Sequence, residues 1–182
     1  MGKPVLQYWD GRGRAEIIRL MFAAAGVDYD EKPGITTKKQ VDDERAAGLL
    51  MFNQYPLVQW DGKNMVQTNA IVRFIAHKYN LLGSNPDEAY KIDCIYEGTC
   101  DCKSPFLLKK VHAMQSEEAF KEKTTNSVNR YCPVFEKLLG QNPGSDYLVG
   151  SRLSMADVAL LEILLLIDEE EFLSLDKYPK LK

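Results

Sequence analysis

Val5-Leu6-Gln7-Tyr8-Trp9-Asp10-Gly11-Arg12-Gly13-Arg14-Ala15-Glu16 joins a strand-like apolar run to a helix-like run, Ile17 through Ala25. The join holds two glycines, two arginines and a tyrosine. A helix N-terminus carries partial positive charge and unpaired amides, so a strand-to-helix turn of this composition can gather a tyrosine and an arginine around one bound anion. Gly26 stands where a helix C-cap glycine is expected. Residues 27–32 then alternate apolar and charged side chains, the pattern of a half-buried strand, and Pro33-Gly34 ends it. A strand–helix–strand unit of this kind requires a parallel pair with a right-handed crossover.

Working on from that unit, residues 38–47 read as a polar, exposed helix. Leu57 to Trp60 and Lys63 to Val66 flank Asp61-Gly62, a two-residue hairpin signal. Thr68 is expected to cap a helix running to Tyr79, with Ala70, Ile71, Phe74 and Ile75 on its inner face. The order β-α-β-α-β-β-α predicts an α/β domain over 1–82, a mixed four-stranded sheet covered by helices. Leu81 to Pro86 reads as a linker. No convincing strand follows it, so 85–182 is expected to be all-helical. Residues 89–111 form a long helix kinked or interrupted at Pro105, and residues 117–139 a second with a bend at Pro133. Ser154-Met155-Ala156-Asp157 caps an apolar helix over 158–167.

The 182 residues allow one large domain or two small ones, and 45% hydrophobic with 27% charged content is ordinary for a globular chain. A net charge of −3 gives no general attraction to nucleic acid or anionic membranes. The longest apolar run, Val158 to Ile167, is interrupted by Glu162 and is too short for a membrane span. No secretory signal opens the chain, and the cytoplasm is the expected compartment. The four cysteines, Cys94, Cys100, Cys102 and Cys132, lack zinc-site spacing and read as small buried hydrophobes, so no metal is expected. His77 and His112 read as surface residues, as do Lys109-Lys110 and the acidic run 168–171.

Three places could carry chemistry. At neutral pH the phenol of Tyr8 is a hydrogen-bond donor, and against a thiol it favours the thiolate. Lowering a thiol pKa from about 8.5 to about 6.5 needs about 2.7 kcal/mol. One hydrogen bond to a charged acceptor supplies about 1.5–3 kcal/mol, and the helix N-terminus adds about 0.3–2 kcal/mol. Arg14 adds a fixed positive charge. Taken alone, Tyr8 also reads as a strand residue with its hydroxyl at the rim, and Arg12 and Arg14 as partners of Asp10 and Glu16. At Tyr55-Pro56 a cis bond would turn the Tyr55 amide and carbonyl outward, where an extended peptide can pair with them; an ordinary proline at a strand start is the alternative. Gln67 and Thr68 open a helix and offer amides, a hydroxyl and a carboxamide to a carboxylate, or simply cap it. Together the sites suggest a small thiol peptide.

These motifs in this order resemble a cytosolic glutathione S-transferase of the alpha class. The match rests on Tyr8 with Gly11-Arg12-Gly13-Arg14, Ala23-Ala24-Ala25-Gly26-Val27, Gln54-Tyr55-Pro56-Leu57-Val58, Gln67-Thr68, Asn129-Arg130-Tyr131, Pro133 to Lys137, and Leu148-Val149-Gly150 leading to Leu153 to Asp157. The resemblance implies a thioredoxin-like N-terminal domain, an all-helical C-terminal domain and a homodimer, or a heterodimer with related subunits. It implies glutathione as co-substrate and a hydrophobic electrophile as its acceptor, a detoxification chemistry. Tyr8 and Arg14 would then stabilise the thiolate. Arg45 with Gln54 would meet the glycyl carboxylate, the Tyr55 main chain before a cis-Pro56 would pair with the cysteinyl backbone, and Gln67 and Thr68 would hold the γ-glutamyl carboxylate. Asp101 and Arg130 would approach from the partner subunit, and Phe52 matches the aromatic key of the dimer.

The chain departs from that pattern in several places. Tyr55 stands where valine is usual, Asn69 where an arginine often serves the dimer interface, and Cys132 where an aromatic is common. Lys103-Ser104-Pro105 is unusual in the helix that walls the electrophile site. The sequence ends at Tyr178 to Lys182, before the expected terminal lid helix, so it reads as a C-terminally shortened form with a complete glutathione site and an incomplete electrophile site. A weakly active homologue that binds glutathione or apolar ligands is the second reading. A thiol–disulfide oxidoreductase is excluded, because the first strand-to-helix turn has no cysteine.

Overall fold

The computed structural model describes residues 2–107, 116–142 and 144–182. The chain divides into two compact units, Met1–Tyr79 and Asn80–Lys182. The first unit runs β1 (Val5–Gln7), α1 (Glu16–Ala24), β2 (Asp30–Glu31), α2 (Lys38–Ala46), β3 (Leu57–Trp60), β4 (Lys63–Val66), α3 (Thr68–Lys78). Its sheet has the order β2-β1-β3-β4. β1 pairs in parallel with β2 and antiparallel with β3, and β3 with β4. Asp61 and Gly62 both take positive φ, 47° and 75°, the conformation a two-residue hairpin turn requires. Gly26, φ 64°, ends α1, its amide bonded to the Ala23 carbonyl.

Three details differ from the sequence reading. β1 ends at Gln7, which releases Tyr8 and Trp9 into the turn. β2 shrinks to two exposed residues, because as the outer strand it has a neighbour on one side only. On α3 the buried face is Ile71, Val72, Ile75 and Ala76, with Ala70 exposed and Phe74 half-buried. The core between sheet and helices holds Leu6, Ile17, Ile18, Met21, Phe22, Leu57 and Ile75. Trp60 is buried there, its indole N–H donating to the Gly2 carbonyl at 3.0 Å and its ring meeting Phe22, Phe74 and Tyr79.

The second unit contains α4 (Pro86–Leu107), α5 (Glu117–Gly140) and α6 (Met155–Asp168), with α4 packed on both others. The proposed linker ends sooner than expected, because Pro86 starts α4, a position that needs no amide donor. Pro105 and Pro133 lie inside α4 and α5 without ending them. Each withdraws one amide, and tertiary packing holds the rest of the helix. Asp157 accepts from the Ser154 amide and hydroxyl at 2.8 and 2.7 Å and from the Leu148 amide at 2.7 Å, so the expected capping box also ties the preceding loop to α6. Glu162, which interrupts the apolar run in sequence, is buried and bonded to the equally buried Lys103 at 2.6 Å.

Cys102 and Cys132 are fully buried, and burial first of all pushes their thiols up to about 11 and about 12. Cys94 is exposed and Cys100 half-buried, so the reading of all four as core hydrophobes holds for two. His77 is exposed. His112, Lys109-Lys110 and the last residues of the 89–111 helix lie outside the described residues. Among the described residues no helix is long and apolar enough to cross a membrane.

Candidate active site

The end of β1 delivers Tyr8 to the mouth of the sheet. The following turn bends through Gly11 (φ 141°) and Gly13 (φ 45°). The Arg14 amide donates to the Tyr8 phenol oxygen at 3.0 Å, so one unpaired amide ahead of α1 is satisfied by the tyrosine. The oxygen therefore acts as acceptor toward the backbone, and its own hydrogen can be donated elsewhere. Gly13 is required for this closeness: a Cβ there would stand 2.7 Å from the hydroxyl and 2.9 Å from Cε1 of Tyr8. The Arg14 carbonyl accepts from the Thr68 hydroxyl at 3.1 Å, linking the mouths of α1 and α3.

A cleft of about 330 Å³ is lined by Arg14, Gln54, Tyr55, Pro56, Gln67 and Thr68, together with Asn69. All six residues named from sequence for this region thus face one cavity. The Tyr55-Pro56 bond is cis. Tyr55 precedes β3, so its amide and carbonyl stand outside the ladder, which starts at Leu57. Thr68 is the first helical residue of α3 and not its cap: the N-cap is Gln67, whose side chain makes no capping bond. Gln67 holds φ 71°, ψ 106°, a strained backbone for a residue with a Cβ. The Thr68 hydroxyl is committed to the Arg14 carbonyl, and Gln67, Thr68 and Asn69 at the start of α3 line the cleft.

The remaining predicted residues sit apart from that lining. Tyr8 lines an adjoining cavity of about 490 Å³ with Trp9, Asp10, Arg12 and Lys32. Arg45, near the end of α2, donates from Nε and Nη2 to the Asn53 carbonyl at 3.2 and 3.0 Å, beside Gln54. Asp101 and Arg130 are exposed residues of α4 and α5 in the second unit. Tyr131 joins them: its hydroxyl reaches Asp101 at 3.5 Å, and the Arg130 guanidinium lies 5.2 Å from its ring centre.

Sequence reasoning missed Glu44 and Gln7. Both Glu44 oxygens are engaged, Oε1 by the Gln7 amide at 2.7 Å and Oε2 by the Tyr55 hydroxyl at 2.5 Å. Burial, and then the Glu44 carboxylate, push the Tyr55 phenol above its ordinary pKa. A glutamine inside an apolar strand was the available signal.

Comparison with known proteins fits this geometry. A family model described as "Glutathione S-transferase, N-terminal domain" matches residues 4–77, and one described as "Glutathione S-transferase, C-terminal domain" matches residues 100–182. Glutathione S-transferase A3 of Mus musculus is 45% identical over 185 residues, covering 100% of this chain and 81% of its own length. This chain belongs to the glutathione S-transferase family. Glutathione S-transferase alpha M14 of Sus scrofa is 44% identical with the same coverage. Among solved structures, a monomeric glutathione S-transferase from the hookworm Necator americanus superposes with a TM-score of 0.82 at 26% identity, covering 99% of this chain and 88% of that one. A Nu-class glutathione S-transferase from Haemonchus contortus gives 0.81 at 28%, covering 100% and 88%. The family resemblance and the thioredoxin-like fold read from the motifs are borne out. In this glutathione S-transferase the cleft falls wholly within the stretch matched by the N-terminal family model.

Proposed function

We propose that this family member is a glutathione transferase that adds the thiolate of glutathione to hydrophobic electrophiles. The observation that carries the reading is the Arg14 amide held on the Tyr8 oxygen beside the 330 Å³ cleft. With the oxygen's lone pair turned to the backbone, the phenol hydrogen is directed outward to a sulfur. A thiolate accepting that hydrogen bond near the α1 N-terminus and Arg14 is stabilised without a covalent enzyme intermediate. The sulfur then bonds to the electrophilic carbon, with any leaving group departing with its electron pair.

Glutathione lies along the cleft in this reading. The cysteinyl backbone pairs with the Tyr55 main chain. The γ-glutamyl carboxylate meets Gln67 and the amides at the start of α3, the Thr68 amide replacing its hydroxyl, and the glycyl carboxylate meets Arg45 with Gln54. Residues 1–82 form the glutathione-binding domain and 85–182 the helical one, in a cytoplasmic protein. The unit of function is a dimer. Phe52 is exposed, as is Met51, and the second unit carries a cavity of about 720 Å³ between α4 and α5, lined by Tyr90, Cys94, Val134 and Phe135. Phe52 of one copy enters that cavity on another, and Asp101 and Arg130 serve the other copy's γ-glutamyl end.

The test is an absorbance titration of the bound glutathione thiolate in wild type and Tyr8→Phe. Wild type should lower the thiol pKa well below that of free glutathione. Tyr8→Phe should restore most of it and lower turnover at neutral pH about 10- to 100-fold, the worth of one hydrogen bond to a charged acceptor. Equal pKa values in the two proteins overturn the role of Tyr8. Robust turnover of a small generic electrophile separates this reading from a homologue that only binds.

A further inference from the structure

We propose that Glu44, Tyr55 and Gln7 form a polar bracket that holds α2 in place and so positions Arg45 for the glycyl carboxylate of glutathione. The inference rests on the transferase reading above. α2 is nine residues long and buries a single side chain, Val41. A short helix with so little apolar contact is not held by its own propensity, so its polar anchors decide where it sits. Its N-cap, Thr37 to the Gln40 amide, and the Lys39–Asp43 pair are local to the helix end or face solvent.

Arg45 meets Asp42 one turn back at 3.5 Å and the nearby Asn53 carbonyl, whereas Glu44 reaches across to the sheet. Its two oxygens are gripped from two different elements: the Gln7 amide on β1 at 2.7 Å and the Tyr55 hydroxyl ahead of β3 at 2.5 Å. Gln7 is only 1% exposed, so its strand cannot follow α2 if the helix shifts. The Gln7 donor is committed to Glu44, while its buried oxygen has no hydrogen-bond partner among the described residues. The Tyr55 ring is held in turn by the edge of Trp9, ring centres 6.0 Å apart at 73°. A carboxylate fixed at both oxygens by separate rigid elements has no freedom to swivel, and charge-assisted bonds of this kind are the stronger class. Arg45 is the next residue, and its guanidinium already reaches the Asn53 carbonyl beside the cleft. The bracket therefore sets the direction from which the cation meets a ligand, and Tyr55 contributes its side chain here as well as its main chain to the cleft.

Steady-state kinetics of Glu44→Ala and Tyr55→Phe with two thiols test this. Glutathione carries the glycyl carboxylate; γ-glutamylcysteine has the same thiol and lacks it. Each variant should raise KM for glutathione roughly fivefold, the loss of about one positioned hydrogen bond. In both variants the rise in KM for γ-glutamylcysteine should be smaller than the rise for glutathione, and for Glu44→Ala the electrophile KM and kcat at saturation should stay within about twofold of wild type. Arg45→Ala should likewise raise KM for glutathione, and adding Tyr55→Phe to it should raise that KM no further, the sign of one shared pathway. Tyr55→Phe removes a single hydroxyl, which keeps the test open if Glu44→Ala folds poorly. A wild type that turns over while the variants affect both thiols alike, or neither, overturns the bracket alone. A wild type that neither binds nor turns over glutathione overturns the transferase reading and the bracket with it.

Discussion

Gly13 shows how much of a site can rest on a missing side chain. The sequence marked it as a turn glycine between two arginines, and its φ of 45° agrees. What the sequence could not reveal is that the space for a Cβ is already occupied by the Tyr8 phenol. Gly13→Ala should therefore push the phenol off the Arg14 amide. Turnover is expected to fall about tenfold or more, while stability falls by only about 1 kcal/mol from the left-handed backbone. Kinetics beside a thermal melt separate the two losses. An alanine variant with undiminished kcat/KM means that the phenol does not need that space. The placement of Tyr8, Arg14, Gln67 and Thr68 was legible because each sits at an element end, where local pattern speaks. Glu44 was not, since a carboxylate on a polar helix looks like solvent-facing charge until the sheet it touches is known.

Among the elements, those with strong local signals matched the structure and those decided by their neighbours did not. The Asp61-Gly62 hairpin and the Ser154–Asp157 cap are written in a few adjacent residues and were read correctly. β2 and the inner face of α3 depend on where the sheet ends and which helix packs alongside, and both needed revision. The link between α4 and α6 is the clearest case. Glu162 reads as a flaw in an apolar run, yet Lys103 meets it at 2.6 Å with both side chains nearly excluded from solvent. Lys103→Met should destabilise the protein by about 3–5 kcal/mol, because it takes the lysine cation away from a buried carboxylate. The double change Lys103→Met with Glu162→Leu should recover most of that loss. Urea unfolding of the three variants gives the cycle, and a double variant no better than the single means that the pair is more than an isolated charge couple.

For the whole molecule, the change from alternating strands and helices to helices alone was visible in composition and period, because each half has its own hydrophobic rhythm. Assembly is a different matter. The proposed dimer rests on an exposed Phe52 on one unit and an apolar cavity on the other. On the proposed docking, Phe52→Ser should shift the sedimentation coefficient from dimer toward monomer and weaken glutathione binding, since that reading has Asp101 and Arg130 supplied by the other copy. A wild type that sediments as a monomer rules out the docking. The chain holds two tryptophans, and both belong to Met1–Tyr79. Trp60 is shut inside the core, whereas Trp9 is 47% exposed and touches Tyr55 at the cleft. Intrinsic indole emission is thus blind to the helical unit. Its red-shifted, quenchable component watches the cleft lined by Tyr55, and its blue, shielded component watches the melting of the sheet.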